Sequence, residues 1–125
     1  MRVRRWRFIT VFYLILLAFF CLTGGMPPDP SEPKIFQILW PNIAHIPAYT
    51  ILTYCLLRSF SPITAKIRIG IFAFALSYGA LIEILQSFVP YRYPSVSDLF
   101  LNISGILLAF YLVQKRGLAA EFIKK

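Results

Sequence analysis

Charged side chains are scarce in this sequence. Only 14% of its 125 residues are Asp, Glu, Lys or Arg, and only five are acidic. Because about 25% of the residues of soluble domains are charged, a globular domain with a water-facing surface is excluded. Intrinsic disorder is excluded as well, since 58% of the residues are hydrophobic and disordered chains are poor in apolar residues.

The sequence also has few histidine and cysteine residues and no typical glycine-rich loop. The chain has one histidine, His45, and two cysteines, Cys21 and Cys55. The pair Gly24-Gly25 lacks the neighbours that a phosphate-binding loop needs, so nothing indicates a nucleotide site. The length leaves room for a single domain, and residues 1–125 are interpreted as one membrane domain.

Four stretches that carry few charges approach the roughly 20 apolar residues that a helix needs to cross a membrane. The predicted spans are residues 7–24, 41–58, 68–88 and 97–114. Since backbone groups in lipid must satisfy their own hydrogen bonds, the sequence predicts an all-α fold, a four-helix transmembrane bundle. Alternate threading puts Cys21 and Cys55 about 15 Å apart in depth, too far for a disulfide.

The cations predict the orientation. Eleven of the 13 Lys and Arg residues lie before the first span, between the second and third, or after the fourth; the other two are Lys34 and Arg92. Cytoplasmic loops of membrane proteins are enriched in cations, so both termini are expected in the cytoplasm. Because the cations are divided among short segments next to spans, they indicate contact with anionic lipid rather than nucleic acid.

The first span and the loop after it carry two further expectations. A basic start and an apolar run are shared with signal peptides, but this run is longer than is usual for them, so the span is expected to be retained. The loop from Gly25 to Trp40 contains four prolines and is expected to be extended.

Polar residues inside spans are expensive and are candidates for function. Alternate threading brings six of them to one depth near the outer leaflet, with Asn42 and Tyr49 on the same helix face as His45. The six are His45, Glu83, Gln86, Arg92, Asp98 and Asn102. Small residues continue the polar faces of spans three and four inward (Ala75 and Gly79, then Gly105 and Ala109), which predicts close packing of those two spans.

The run from Glu83 to Gly105 resembles the signature of the VanZ-like family: E-x-x-Q, then P-x-R, then D-x-x-x-N-x-x-G. His45, Tyr49 and Leu52 are similar to the family's H-x-x-x-Y-x-x-L stretch, although Pro41-Asn42 replaces its usual Asp-Lys. The resemblance implies a small multi-pass protein of the bacterial cytoplasmic membrane. The family's namesake is associated with resistance to teicoplanin, so the resemblance also implies a role in the cell envelope.

Two functions fit these residues. In the first, the site binds an anionic lipid or a lipid-linked cell-wall precursor: Arg92 holds the phosphate, and Gln86, Asn102 and Tyr49 complete the ligand site. In the second, the protein is an enzyme acting on a lipid-linked substrate. Glu83 or His45 is then the general base, Asp98 orients it, and Arg92 stabilises developing negative charge.

Other functions have less support. His45, Glu83 and Asp98 are potential metal ligands, but their sequence spacing is not diagnostic; no metal and no cofactor is predicted. A transporter would need an oligomer, which the sequence allows, and a polar path to the cytoplasm, which spans one and two do not offer. A structural role in envelope assembly stays open.

Overall fold

The computed structural model of the chain describes residues 2–23, 30–31, 33–92 and 95–123. They form four helices: α1 (Arg2–Leu22), α2 (Lys34–Arg58), α3 (Ala65–Gln86) and α4 (Val96–Ile123). Within these ranges there is no β-strand. The predicted all-α, four-helix architecture is confirmed.

Several predicted bounds are wrong. The segment from Lys34 to Trp40, predicted as extended loop, is the start of α2. The four prolines behind that prediction all precede Lys34, so none of them interrupts the helix, and Pro33 occupies the N-cap position. The fourth predicted span, residues 97–114, belongs to the longest helix, α4, with 28 residues. Helix formation continues past the apolar run because Lys, Arg and Ala favour helix without needing lipid around them.

Three of the helices are long and apolar enough to cross a membrane: Val3–Leu22, Ala65–Gln86 and Val96–Gly117. The 25 residues of α2 also suffice in length, although Asn42 and His45 interrupt its apolar character. Large hydrophobic side chains on α1, such as Phe8, Phe12 and Phe19, are exposed, as expected for a helix that faces lipid. The protein is therefore an integral membrane protein.

Helix α2 is at the centre of the packing. Both α2 and α3 contact all of the other three helices, and the most extensive interface joins α2 to α4. A Cβ atom built on Gly105 would overlap the backbone oxygen of Ile46 and lie 3.1 Å from the backbone nitrogen of Thr50. The small residues of α4 were predicted to pack against α3, but at Gly105 the close neighbour is α2. Periodicity indicates which face is small, not which helix covers it.

Side-chain hydrogen bonds to backbone oxygens attach α1 to the other helices. The Tyr13 hydroxyl donates to Ala48 at 3.0 Å, and the Tyr78 hydroxyl donates to Leu14 at 2.6 Å. At the far end of α1, the Gln86 amide donates to Cys21 at 3.1 Å. Cys21 and Cys55 are both free thiols, as predicted.

One end of the bundle combines cations with aromatic rings. The Arg58 guanidinium lies 5.5 Å from the ring centroid of Trp6 and 6.0 Å from that of Tyr54. Arg116 lies 5.8 Å from the same Tyr54 ring. The start of α1, the end of α2 and the late part of α4 therefore meet at this end, as alternate threading requires. Which side of the membrane this end faces stays a prediction.

Candidate functional site

The candidate site lies where α2, α3 and α4 meet, away from the cationic end of the bundle. Five of the predicted site residues are buried there: Tyr49 (1% exposed), Glu83 and Asp98 (each 8% exposed), Gln86, and Asn102 (0% exposed). His45 and Arg92 are half-buried. The predicted partner Asn42 falls among residues whose side chains lie outside the described part of the structure.

His45 is oriented by Asn102. Its Nδ1–H donates to the Asn102 Oδ1 at 2.9 Å, because a carbonyl oxygen can only accept. The Tyr49 ring stacks against the imidazole, with the ring centroids 6.5 Å apart and the planes 8° from parallel. These two neighbours hold the imidazole so that Nε2 is the nitrogen left for chemistry.

Asp98 faces that nitrogen without hydrogen-bonding to it. The Asp98 Oδ2 lies 3.9 Å from Nε2, which exceeds hydrogen-bond distance. The side chain that hydrogen-bonds to the imidazole is that of Asn102, and the role of Asp98 in orienting the base stays a prediction. Asp98 lies in the first turn of α4, where the helix dipole favours its negative charge.

Glu83 is held by the connection between α3 and α4. The backbone N–H of Ser95 donates to its Oε2 at 3.2 Å. The other carboxylate oxygen, Oε1, is buried and has no hydrogen-bond partner among the described residues. Sequence reasoning did not identify Ser95 as part of the site, because a backbone donor leaves no signal in residue identity.

Gln86 has a contact of its own. It lies one turn after Glu83 on α3, and its amide nitrogen donates to Cys21 of α1. This hydrogen bond joins helices across the bundle, which is a common role for amides in membrane proteins. A part for Gln86 in ligand binding stays a prediction.

Arg92 follows a sharp change in chain direction. Tyr91 has φ 62°, in the left-handed region that non-glycine residues rarely adopt. The Arg92 Nε is buried and has no hydrogen-bond partner in the described part of the chain. Its guanidinium is close enough to interact electrostatically with Glu83.

The base of the site is tightly packed around Gly79. A Cβ atom built there would lie 2.9 Å from the Asn102 Nδ2 and 3.1 Å from the Tyr49 hydroxyl. Both of these polar atoms are buried without a partner within the described ranges. The glycine therefore makes room for two hydrogen-bond donors below the carboxylates.

The three residues considered as catalytic groups come together. His45, Glu83 and Asp98 each offer a donor atom, and these atoms all lie within 4.8 Å of one another. The sequence separates these residues by 53 positions, and the helix packing brings them into one cluster. The site thus combines two carboxylates and an imidazole with the unused donors of Arg92, Asn102 and Tyr49.

One of three comparisons with known proteins gives a match. No curated protein and no solved structure matches the chain. A family model described as VanZ/LLP1 matches residues 6–118, which include all of α3, the whole Glu83–Gly105 run and His45. Since this match covers nearly the entire sequence, the chain belongs to the VanZ/LLP1 family.

Proposed function

We propose that this protein binds the anionic headgroup of a lipid, or of a lipid-linked cell-wall precursor, at the outer face of the bacterial cytoplasmic membrane. The observation that carries the proposal is a set of buried donors without partners among the residues described. They are the Arg92 Nε, the Asn102 Nδ2 and the Tyr49 hydroxyl.

Buried donors without partners are costly, at about 1–3 kcal/mol each. A phosphate or carboxylate supplies several acceptor oxygens, and a guanidinium binds either group through parallel hydrogen bonds. An anionic headgroup at the mouth of the site would therefore satisfy the Arg92 Nε, while the Asn102 Nδ2 and the Tyr49 hydroxyl lie deeper, at the packed base of the site.

The position of the site favours a lipid as the source of that headgroup. The site lies at the end of α3, next to the exposed side chains of Phe88 (80% exposed) and Tyr91 (59% exposed). Aromatic side chains are enriched at the depth of the headgroups. A ligand embedded in the outer leaflet would thus present its headgroup at the level of Arg92.

Lipid retention tests this function. The protein would be reconstituted in nanodiscs of phosphatidylcholine with a minor fraction of phosphatidylglycerol, and the bound lipid counted by native mass spectrometry. We expect wild type to enrich phosphatidylglycerol and Arg92→Ala to lose most of that enrichment. Arg68→Ala is the matched control, since Arg68 is an exposed cation at the start of α3. Equal enrichment in all three proteins would contradict the proposal.

A more specific version of this proposal is a role in glycopeptide resistance. Membership of the VanZ/LLP1 family supports it. A deletion strain would be complemented with wild type, Arg92→Ala or Arg68→Ala and tested for teicoplanin susceptibility. We expect only Arg92→Ala to fail in complementation. Full complementation by Arg92→Ala would show that teicoplanin susceptibility does not depend on the candidate site.

Acid–base catalysis on a lipid-linked substrate is the second candidate. It is favoured by the fixed imidazole of His45, whose Nε2 faces Asp98 and whose tautomer is set by Asn102. A general base needs such orientation toward the proton it removes. The test is turnover of lipid-linked substrates by the purified protein, with loss of turnover in His45→Asn. No turnover across a broad lipid panel would leave binding as the function.

A further inference from the structure

We propose that His45, Glu83 and Asp98 form a binding site for a divalent cation of the Zn²⁺ or Mn²⁺ class. Each of the three helices α2, α3 and α4 contributes one of these residues. Their donor atoms all lie within 4.8 Å of one another. The proposal does not depend on the identity of the lipid or on catalysis.

The spacing of the donor atoms suits an ion. Nitrogen and oxygen ligands lie about 2.0–2.2 Å from Zn²⁺, which puts neighbouring ligand atoms of a tetrahedral site roughly 3.3–3.6 Å apart. The 3.9 Å between the His45 Nε2 and the Asp98 Oδ2 is close to that range. A direct hydrogen bond between the same groups would need a separation of about 2.7–3.2 Å. The gap is therefore too wide for a shared proton and nearly right for a shared metal.

The carboxylates provide the second, independent observation. One oxygen of each carboxylate, Glu83 Oε1 and Asp98 Oδ1, is buried and lacks a hydrogen-bond partner in the described ranges. Both residues are more than nine-tenths buried. Unpaired buried anions are strongly unfavourable, and the described groups that can offset the two carboxylates are Arg92 and, when it is protonated, His45. A divalent cation between the three residues would neutralise both carboxylates.

The surroundings of the three residues resemble the outer shell of metal sites. A metal-binding histidine usually donates its other ring N–H to an oxygen acceptor, and the Asn102 Oδ1 accepts from His45 in this way. The backbone of Ser95 similarly fixes the Glu83 Oε2. Both ligands are thus held in place by groups that do not themselves face the proposed ion.

The donor set indicates the metal class. One imidazole with two carboxylates suits Zn²⁺ or Mn²⁺ better than thiolate-seeking ions, and it suits them better than Ca²⁺, which prefers oxygen ligands alone. Three protein ligands leave at least one coordination position open. An anionic oxygen of a bound headgroup could take that position beside Arg92.

Metal retention by the intact protein tests the proposal. The chain would be purified in detergent with a tag that does not bind metals, treated with chelator, and dialysed against Zn²⁺ or Mn²⁺. Bound metal would then be measured by mass spectrometry. Because three potential metal ligands of one chain converge on one point, we expect wild type to bind about one equivalent of metal per chain. Glu83→Gln, Asp98→Asn and His45→Gln should each bind at least tenfold more weakly.

Ser104→Ala is the control, because Ser104 is exposed on α4 half a turn beyond Asn102; it should bind as wild type does. A second measurement needs no variant: Zn²⁺ or Mn²⁺ should raise the midpoint of thermal unfolding of wild type by several degrees, since a ligand of the native state stabilises it. Absence of both retention and this shift in wild type overturns the proposal. Equal retention by wild type and folded Glu83→Gln and Asp98→Asn variants also overturns it.

Discussion

The imidazole of His45 and the amide of Asn102 lie 2.9 Å apart, although 57 residues separate them in the chain. Their hydrogen bond crosses the interface between α2 and α4, the most extensive in the bundle. Because both side chains are at least partly buried, a shift of either helix along the other would leave two polar groups without partners. The pair therefore fixes the register of α2 against α4 as well as the orientation of the imidazole.

Replacing Asn102 by Leu, which keeps the branched shape and the number of heavy atoms but removes the polar group, should destabilise the protein. The His45 Nδ1 would lose its acceptor at a half-buried position, which costs about 1–3 kcal/mol in the free energy of unfolding. Thermal unfolding in detergent measures the change. Ser104→Ala, on an exposed position of the same helix, should unfold as wild type does, and an equally stable Asn102→Leu would show that the hydrogen bond is not significant.

Sequence reasoning predicted the architecture and most of the cluster. The runs with few charges identified four helices, because a chain inside a membrane can adopt only structures whose backbone groups hydrogen-bond to one another. Alternate threading then brought His45, Glu83 and Asp98 to a common depth, and the structure places their donor atoms within 4.8 Å. The depth of a residue in the membrane follows from topology alone, so it could be predicted without knowing which helices are in contact.

The pairing within the cluster could not be predicted in the same way. The hydrogen-bond partner of His45 is Asn102, and Gly105 packs against α2 rather than α3. Both depend on the rotation of each helix and on its neighbours, which periodicity does not determine. The backbone donor of Ser95 to Glu83 is a property of the connection between α3 and α4, and any residue except proline can supply it.

Removing the Tyr78 hydroxyl should weaken the attachment of α1. In Tyr78→Phe the hydrogen bond to the backbone oxygen of Leu14 is lost while the ring remains, so the free energy of unfolding should fall by about 0.5–1.5 kcal/mol. Unfolding in detergent provides the measurement. Tyr111→Phe is the matched control, because Tyr111 is 58% exposed and should be neutral. Identical losses in the two variants would argue against the contact.

The orientation of the bundle predicts which loops a membrane-impermeant thiol reagent reaches. In a background of Cys21→Ala and Cys55→Ala, Ser87→Cys lies at the end of α3 near the site and Ser61→Cys lies between α2 and α3; both positions are exposed. Since cations are enriched on the cytoplasmic side, intact cells should be labelled at position 87 only. Position 61 should react after the membrane is permeabilised. The reverse pattern would place the site on the cytoplasmic side and exclude an outer-leaflet ligand.

Adding one methyl group at Gly105 should lower the stability of the folded protein more than adding it at an open helix position. In Gly105→Ala the new Cβ would overlap the backbone oxygen of Ile46, and backbone atoms can yield only if α2 and α4 move apart. Overpacking of this kind costs about 1–3 kcal/mol.

Gly70→Ala is the matched control, because a Cβ there has no atom within 4 Å and alanine favours helix over glycine by roughly 0.5–1 kcal/mol. Thermal unfolding should therefore shift down for Gly105→Ala and stay level or rise for Gly70→Ala. A Gly105→Ala variant as stable as wild type would mean that the α2–α4 interface is looser than the structure shows, and the His45–Asn102 hydrogen bond across it would then lose its geometric support.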